Sequence, residues 1–193
     1  FGTWAAPQRI HAVPNGVDEA WFAIQPAARP YAREYLLYVG NVKPHKNLRG
    51  LVSAFGKIRD GMDLDLVIVG EREGFLTGDR ELMEEAKELG ARVHFTGRVS
   101  QEALGQYYVH AKALVLPSFY EGFGLTALEA MAAGCPVAVS RAASLPEVCG
   151  DAALYFSPGD TAEMAGALSR IVQDEPLRKT LRTKGIARAR EVT

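Results

Sequence analysis

Short, mostly apolar runs alternate along the chain with longer stretches in which apolar residues recur every three or four positions. The runs lie at 36–39, 66–69, 93–96, 113–116, 137–140 and 153–156, and several stop at Gly or Pro. Each reads as a buried strand. Between the first two, residues 47–59 place Leu48, Leu51, Val52, Phe55 and Ile58 on one helical face. Asp79, Ser100 and Asp160 suit N-caps of helices reaching Leu89, His110 and Gln173, and Gly90 and Gly134 suit helix ends. Residues 144–149 suit a single helical turn, and Pro176, at a first-turn position, opens a last helix. Strands alternating with helices at this spacing predict an α/β, Rossmann-like parallel sheet of about six strands, with helices on both faces. Residues 1–34 break the pattern. Pro7, Pro14, Pro26 and Pro30 punctuate them, Pro14-Asn15-Gly16 signals a turn, and 10–13 suits a short strand. Trp21 and Phe22 are expected to dock on the body, so 1–34 reads as a linker and 35–193 as one domain.

Composition narrows this picture without redrawing it. The 193 residues, 48% hydrophobic and 23% charged, fit a single soluble domain with a full core. A net charge of −1 makes no electrostatic case for nucleic acid or an anionic membrane. No apolar run approaches the ~20 residues of a membrane span. Cys135 and Cys149 make neither a disulfide framework nor a metal site, so a reducing, cytoplasmic setting is expected. The chain begins at Phe1, and excision from something longer is the expectation.

Candidate chemistry gathers where strands end. In an open parallel sheet, ligands bind at the carboxyl ends of the strands, and Gly40, Gly70 and Gly97 each follow one. A glycine after a strand is ordinarily just a turn; three on one edge carry more weight. The densest stretch is 117–137: a strand end at Pro117-Ser118, a tight turn holding Glu121, Gly122 and Gly124, then a helix ended by Gly134. Free amides at such a helix start suit a phosphate. Lys43, His45 and Lys46 lie in the loop after the first strand, where Pro44 stiffens the chain and a lysine could reach that phosphate. The bland reading is a solvated loop.

Other chemistries fit less well. Gly122-x-Gly124 lacks the third glycine of the dinucleotide fingerprint, which argues against a nicotinamide enzyme. His11, His45, His94 and His110 share no metal-ligand spacing. Ser118 and Ser144 lack a nucleophile elbow. Glu121 and Glu129 invite a glycosidase reading, but eight helical residues span about 12 Å. Paired glycosidase carboxylates stand about 5–5.5 or 6.5–9.5 Å apart, so these acids are better spaced to hold two ends of one long ligand. Arg178, Lys179, Arg182, Lys184, Arg188 and Arg190 follow one another with no acid between. That run reads as a solvated helix face, with a membrane-surface role as the sharper alternative.

Together these residues resemble the C-terminal half of the family 4 retaining glycosyltransferases, of two-domain GT-B architecture. Val13-Pro14-Asn15-Gly16-Val17-Asp18 resembles the linker into that half. Tyr38-Val39-Gly40 with Pro44-His45-Lys46-Asn47 resembles the diphosphate loop, and Phe95-Thr96-Gly97-Arg98-Val99 the base-side strand end. Pro117-Ser118-x-x-Glu121-Gly122-Phe123-Gly124-Leu125, continuing to Glu129 and Gly134-x-Pro136-Val137, resembles the most specific signature, and Ser144-Leu145-Pro146-Glu147-Val148 extends it.

The resemblance implies a nucleotide-sugar donor, GDP-mannose slightly favoured, and no metal or other cofactor. It assigns catalytic roles to Glu121, near the reacting sugar carbon, and to Lys46, on the leaving diphosphate beside Gly40 and Asn41. The turn at Gly122 and the amides of Phe123, Gly124, Leu125 and Thr126 would hold sugar and phosphate. Glu129 would grip the ribose, and Arg98 and Val99 would border the base. Asn41 departs from the Arg usual after the loop glycine, which leaves Lys46, with Lys43 or Arg72, to compensate. A sugar or lipid-linked acceptor would bind mainly the other half of the enzyme, with peripheral membrane association an option and nucleic acid no partner. The alternatives are a non-catalytic nucleotide-sugar-binding module and a sugar-nucleotide epimerase of the same fold.

Overall fold

The computed structural model describes residues 15–70 and 80–192. Residues 10–13, Val13-Pro14 of the linker motif and the Asp79 cap lie outside them. Six strands form one parallel sheet: β1 (Tyr35–Val39), β2 (Asp65–Val69), β3 (Val93–Gly97), β4 (Ala113–Leu116), β5 (Val137–Ser140) and β6 (Ala153–Phe156). Their spatial order is β3-β2-β1-β4-β5-β6. The order reverses between β1 and β4, which pair directly through Leu36 with Ala113 and Leu37 with Leu114. That is the switch point, where a crevice opens in a doubly wound sheet.

Side chains alternate across each strand, and the alternation divides the core in two. Leu36, Tyr38, Leu66, Ile68, Val115 and Ala138 face a layer built from α1 (Leu48–Ile58), α2 (Arg80–Glu88) and α6 (Thr161–Gln173). Leu37, Val67, Val69, Leu114, Leu116, Val137 and Val139 face the opposite layer. That layer is built from α3 (Gln101–His110), α4 (Leu125–Ala132) and α5 (Leu145–Cys149). Strands buried on both faces need continuous apolar runs, which is why periodicity alone located them. On α1 the predicted stripe is buried at Leu48, Leu51, Val52 and Phe55, each such burial stabilising by about 1.5–3 kcal/mol. Trp21 docks as expected: it lies in a short 3₁₀ turn, Glu19–Ala23, and is 6% exposed.

The last helix, α7 (Glu175–Glu191), corrects one expectation. Its basic run is not simply a solvated face. Arg178 donates to the carbonyls of Ile171 and Val172 at the end of α6. Arg188 donates to those of Val148 and Glu147 at α5. Both guanidiniums satisfy carbonyls near helix ends, which have no intrahelical partner. Between them Gly185 packs on α4, where a Cβ would come within 3.1 Å of Met131. Long basic side chains thus fasten α7 across both layers.

Candidate active site

The carboxyl edge is built from strand ends closed by glycine. Gly40 N–H donates to Val69 O at 2.9 Å, and Gly70 N–H to Gly97 O at 3.0 Å. Gly70 has a φ of 152°, and a Cβ there would stand 2.0 Å from the Gly40 carbonyl oxygen. Only glycine permits that approach. Beyond these ends opens a cavity of about 290 Å³ whose walls include Gly40, Asn41, Gly70, Arg98 and Val99. Four residues assigned to the diphosphate and base ends therefore converge on one space.

The lysine loop reaches the same edge. Pro44–Lys46 forms a 3₁₀ turn and Asn47 follows with φ 53°, a left-handed conformation that Asn tolerates. The Asn47 amide does not cap α1; it donates to Pro117 O at 3.0 Å and Pro158 O at 2.8 Å. Gly50 makes room for it, since a Cβ there would fall 2.5 Å from Asn47 Oδ1. A backbone bond from Phe119 N–H to His45 O, 2.8 Å, completes the stitch between this loop and the β4 exit.

The result is an ion pair between the two candidate catalytic residues. Lys46 Nζ lies 2.8 Å from Glu121 Oε1 and 2.7 Å from Oε2. Ser118 Oγ donates to Oε1 at 2.6 Å. The Glu121 and Lys46 side chains remain 12% and 24% exposed, so both can meet a ligand. Sequence reasoning gave these residues separate duties and did not foresee that they would touch, because 75 positions separate them.

The turn then opens α4. Gly124 sits left-handed at φ 103°, and its carbonyl accepts from Ala127 at 2.9 Å and Leu128 at 3.4 Å. Helix geometry leaves the amides before these, at Phe123 to Thr126, without intrahelical partners. Glu129 keeps different company from Glu121: its Oε2 lies 3.3 Å from the hydroxyl of Tyr108. Burial raises the Glu129 pKa, and the Tyr108 bond opposes that rise. Tyr108 is itself buried, packed edge-on to Trp21 at 5.5 Å between ring centroids. Lys43 is exposed, and Arg72 lies outside the described residues.

Sequence reasoning missed the supports: Ser118, Ser140, Ser144, Asn47 and Tyr108. Ser118 and Ser144 enter the sequence reading as rejected nucleophiles and as positions of the family motif, without a supporting role. No spacing rule could join them to Glu121, although their nearness to a turn rich in glycine was a signal.

A doubly wound sheet whose switch-point edge gathers a lysine loop, a carboxylate and a helix start is an α/β domain with its candidate site in the usual ligand crevice. Comparison narrows that class. The family model described as Glycosyl transferases group 1 matches residues 20–188, and the chain belongs to that family. It is 37% identical over 162 residues to O-antigen chain mannosyltransferase B of Escherichia coli, covering 81% of this chain and 42% of that protein. It is 32% identical over 190 residues to an MMP alpha-(1->4)-mannosyltransferase of Mycolicibacterium hassiacum, covering 97% and 45%. The chain thus spans less than half the length of these relatives.

Among solved structures, sucrose-phosphate synthase from Thermosynechococcus elongatus superposes with a TM-score of 0.80 at 31% identity, over 93% of this chain and 47% of that one. The C-terminal domain of a group 1 glycosyl transferase from Francisella tularensis superposes with a TM-score of 0.78 at 25% identity, over 91% and 97%. The fold is that of the C-terminal half of a GT-B enzyme.

Proposed function

We propose that this chain is the donor-binding half of a retaining glycosyltransferase, moving a sugar from a nucleoside diphosphate to an acceptor hydroxyl. Mannose carried on GDP is the favoured donor, a reading supported by relatives named as mannosyltransferases. The observation that carries the proposal is the Lys46–Glu121 pair, held at 2.7 Å over the switch point beside the start of α4.

The chemistry follows from where charge develops. As the sugar C1–O bond to the diphosphate breaks, negative charge grows on the departing oxygens. Lys46 and the amides at the start of α4 are donors fixed in advance for that charge. Glu121 holds the sugar near its reacting carbon, and Glu129 takes the ribose hydroxyls. The acceptor oxygen bonds to C1 on the face the diphosphate leaves, and its proton passes to the leaving phosphate oxygen. Lysine and helix dipole carry the charge in this scheme, which calls for no metal. The acceptor, a sugar or a lipid-linked one, would be held mainly by the other half of the enzyme, on the cytoplasmic side of a membrane.

Calorimetry with GDP and UDP tests the donor site. Binding of at least one, lost on Lys46→Ala, is the expected result. A folded sample that binds neither overturns the proposal.

A further inference from the structure

Ser118 and Ser140 are two of the three fully buried polar residues among those described. A buried hydroxyl is costly unless paired, and these two are paired in series toward Glu121. Ser140 Oγ donates to the Ser118 carbonyl at 2.5 Å, and Ser118 Oγ donates to Glu121 Oε1 at 2.6 Å. Oε1 also receives Lys46, so it holds two donors; Oε2 holds Lys46 alone among the described residues and is the oxygen left for a ligand. Ser144 adds a third support. It stands at the N-cap of α5 but makes no capping bond, the usual task of a serine there. Its hydroxyl lies instead 2.8 Å from Phe123 O and 3.1 Å from Glu121 O, across the turn.

We propose that Ser118 is a positioning residue for glycosyl transfer. Its hydroxyl fixes the Glu121 carboxylate so that one oxygen faces the donor sugar, while Ser140 and Ser144 hold the turn that carries both. This rests on the assignment of Glu121 to the donor sugar. The hydroxyl of Ser118 touches no reacting atom; it removes rotamers of Glu121 that would point the carboxylate away, and a site held this closely loses rate when its support is removed.

The test uses the full-length enzyme, following GDP release from GDP-mannose with UDP-glucose in parallel. Ser118→Ala should lower kcat about tenfold or more while leaving the Kd for GDP or UDP within about twofold. In a Glu121→Ala background the same substitution should cost less than about twofold, because the group it positions is gone. A purely structural serine would give losses that multiply. Multiplying losses, or a Ser118→Ala kcat within about threefold of wild type, overturns the inference. Failure of the wild type to bind either diphosphate overturns instead the donor-site reading beneath it.

Discussion

Two acid-centred clusters sit at opposite edges of one sheet, and they are built to different ends. At the amino edge Asp65 opens β2 with its side chain 0% exposed. Arg92 Nε meets Oδ1 at 2.7 Å, and Arg33 Nε stands 3.4 Å from Oδ2. The Tyr31 hydroxyl donates to Oδ2 at 2.5 Å, and His94, on the edge strand β3, lies 3.2 Å away. Burial, then the bond to Asp65, pushes the Tyr31 pKa up to about 12, so it stays a donor. At the carboxyl edge Glu121 has one cation and one hydroxyl, and both members of the ion pair keep an open side.

The contrast separates a structural charge from a working one. A sealed carboxylate ringed by Tyr31, Arg33, Arg92 and His94 ties the segment before β1 to β2 and β3, and although Oδ1 has a guanidinium beside it and no aligned hydrogen bond, burial closes it to any ligand. A carboxylate at the rim, 12% exposed and paired with a lysine that is itself 24% exposed, can exchange a partner for a ligand. Titratable clusters in a fold like this are told apart by whether the acid is closed in.

The sharpest way to break that contrast is to exchange the effects. Glu121→Ala and Lys46→Ala should each remove about 3–4 kcal/mol of transition-state stabilisation in the full-length enzyme, seen as turnover down several hundredfold. Folding stability, from denaturant titration, should fall by less than about 1 kcal/mol in Lys46→Ala and by about 1–2 kcal/mol in Glu121→Ala, which leaves the buried Ser118 hydroxyl unpaired. Near-normal turnover in either variant would refute its role.

Asp65→Ala should do the reverse, destabilising by about 3 kcal/mol because Arg33 and Arg92 lose the carboxylate that joins them, keeping among the described residues only Asp63 and the Met62 and Leu64 carbonyls. GDP affinity of the folded fraction should not change; a fall in affinity would erase the distinction between the edges.

Glu129 sharpens the comparison through pH. Its raised pKa means the proton returns at higher pH than for an ordinary carboxylate. Diphosphate-nucleoside affinity should therefore fall, by about tenfold, as pH drops through that raised value. Folding stability should move oppositely, because the native state takes up the proton first. Glu129→Gln should flatten both profiles in calorimetry and thermal melts.

The smallest effect is at the sealed edge: Tyr31→Phe removes one hydrogen bond to Asp65 Oδ2, where His94 and the Arg33 guanidinium remain close, and should cost about 1 kcal/mol, with binding untouched. A larger cost would mean that His94 and Arg33 do not compensate for the lost bond.

Much of this molecule was legible as a one-dimensional pattern. All six strands are where continuous apolar runs put them, within one residue at their ends. Ser100 and Asp160 cap as expected, accepting from Ala103 and from Ala162 and Glu163. The same holds for the turn around Glu121, because glycines and helix formers encode strand, turn and helix locally. Local propensity and periodicity act over a few residues, so reading them in order suffices.

Partnership across the sheet is a different kind of information. That Lys46 would close on Glu121, that Ser144 would forgo its cap, and that Arg178 and Arg188 would fasten α7 all depend on which strands lie side by side. Strand order β2-β1-β4-β5 decides it: it sets the loops after β1, β4 and β5 against one another although 75 residues separate Lys46 from Glu121. A hydrogen bond is felt over about 3 Å, and nothing along the chain reports which distant residues will come that near. The residue types belong to the sequence; their pairing belongs to the fold.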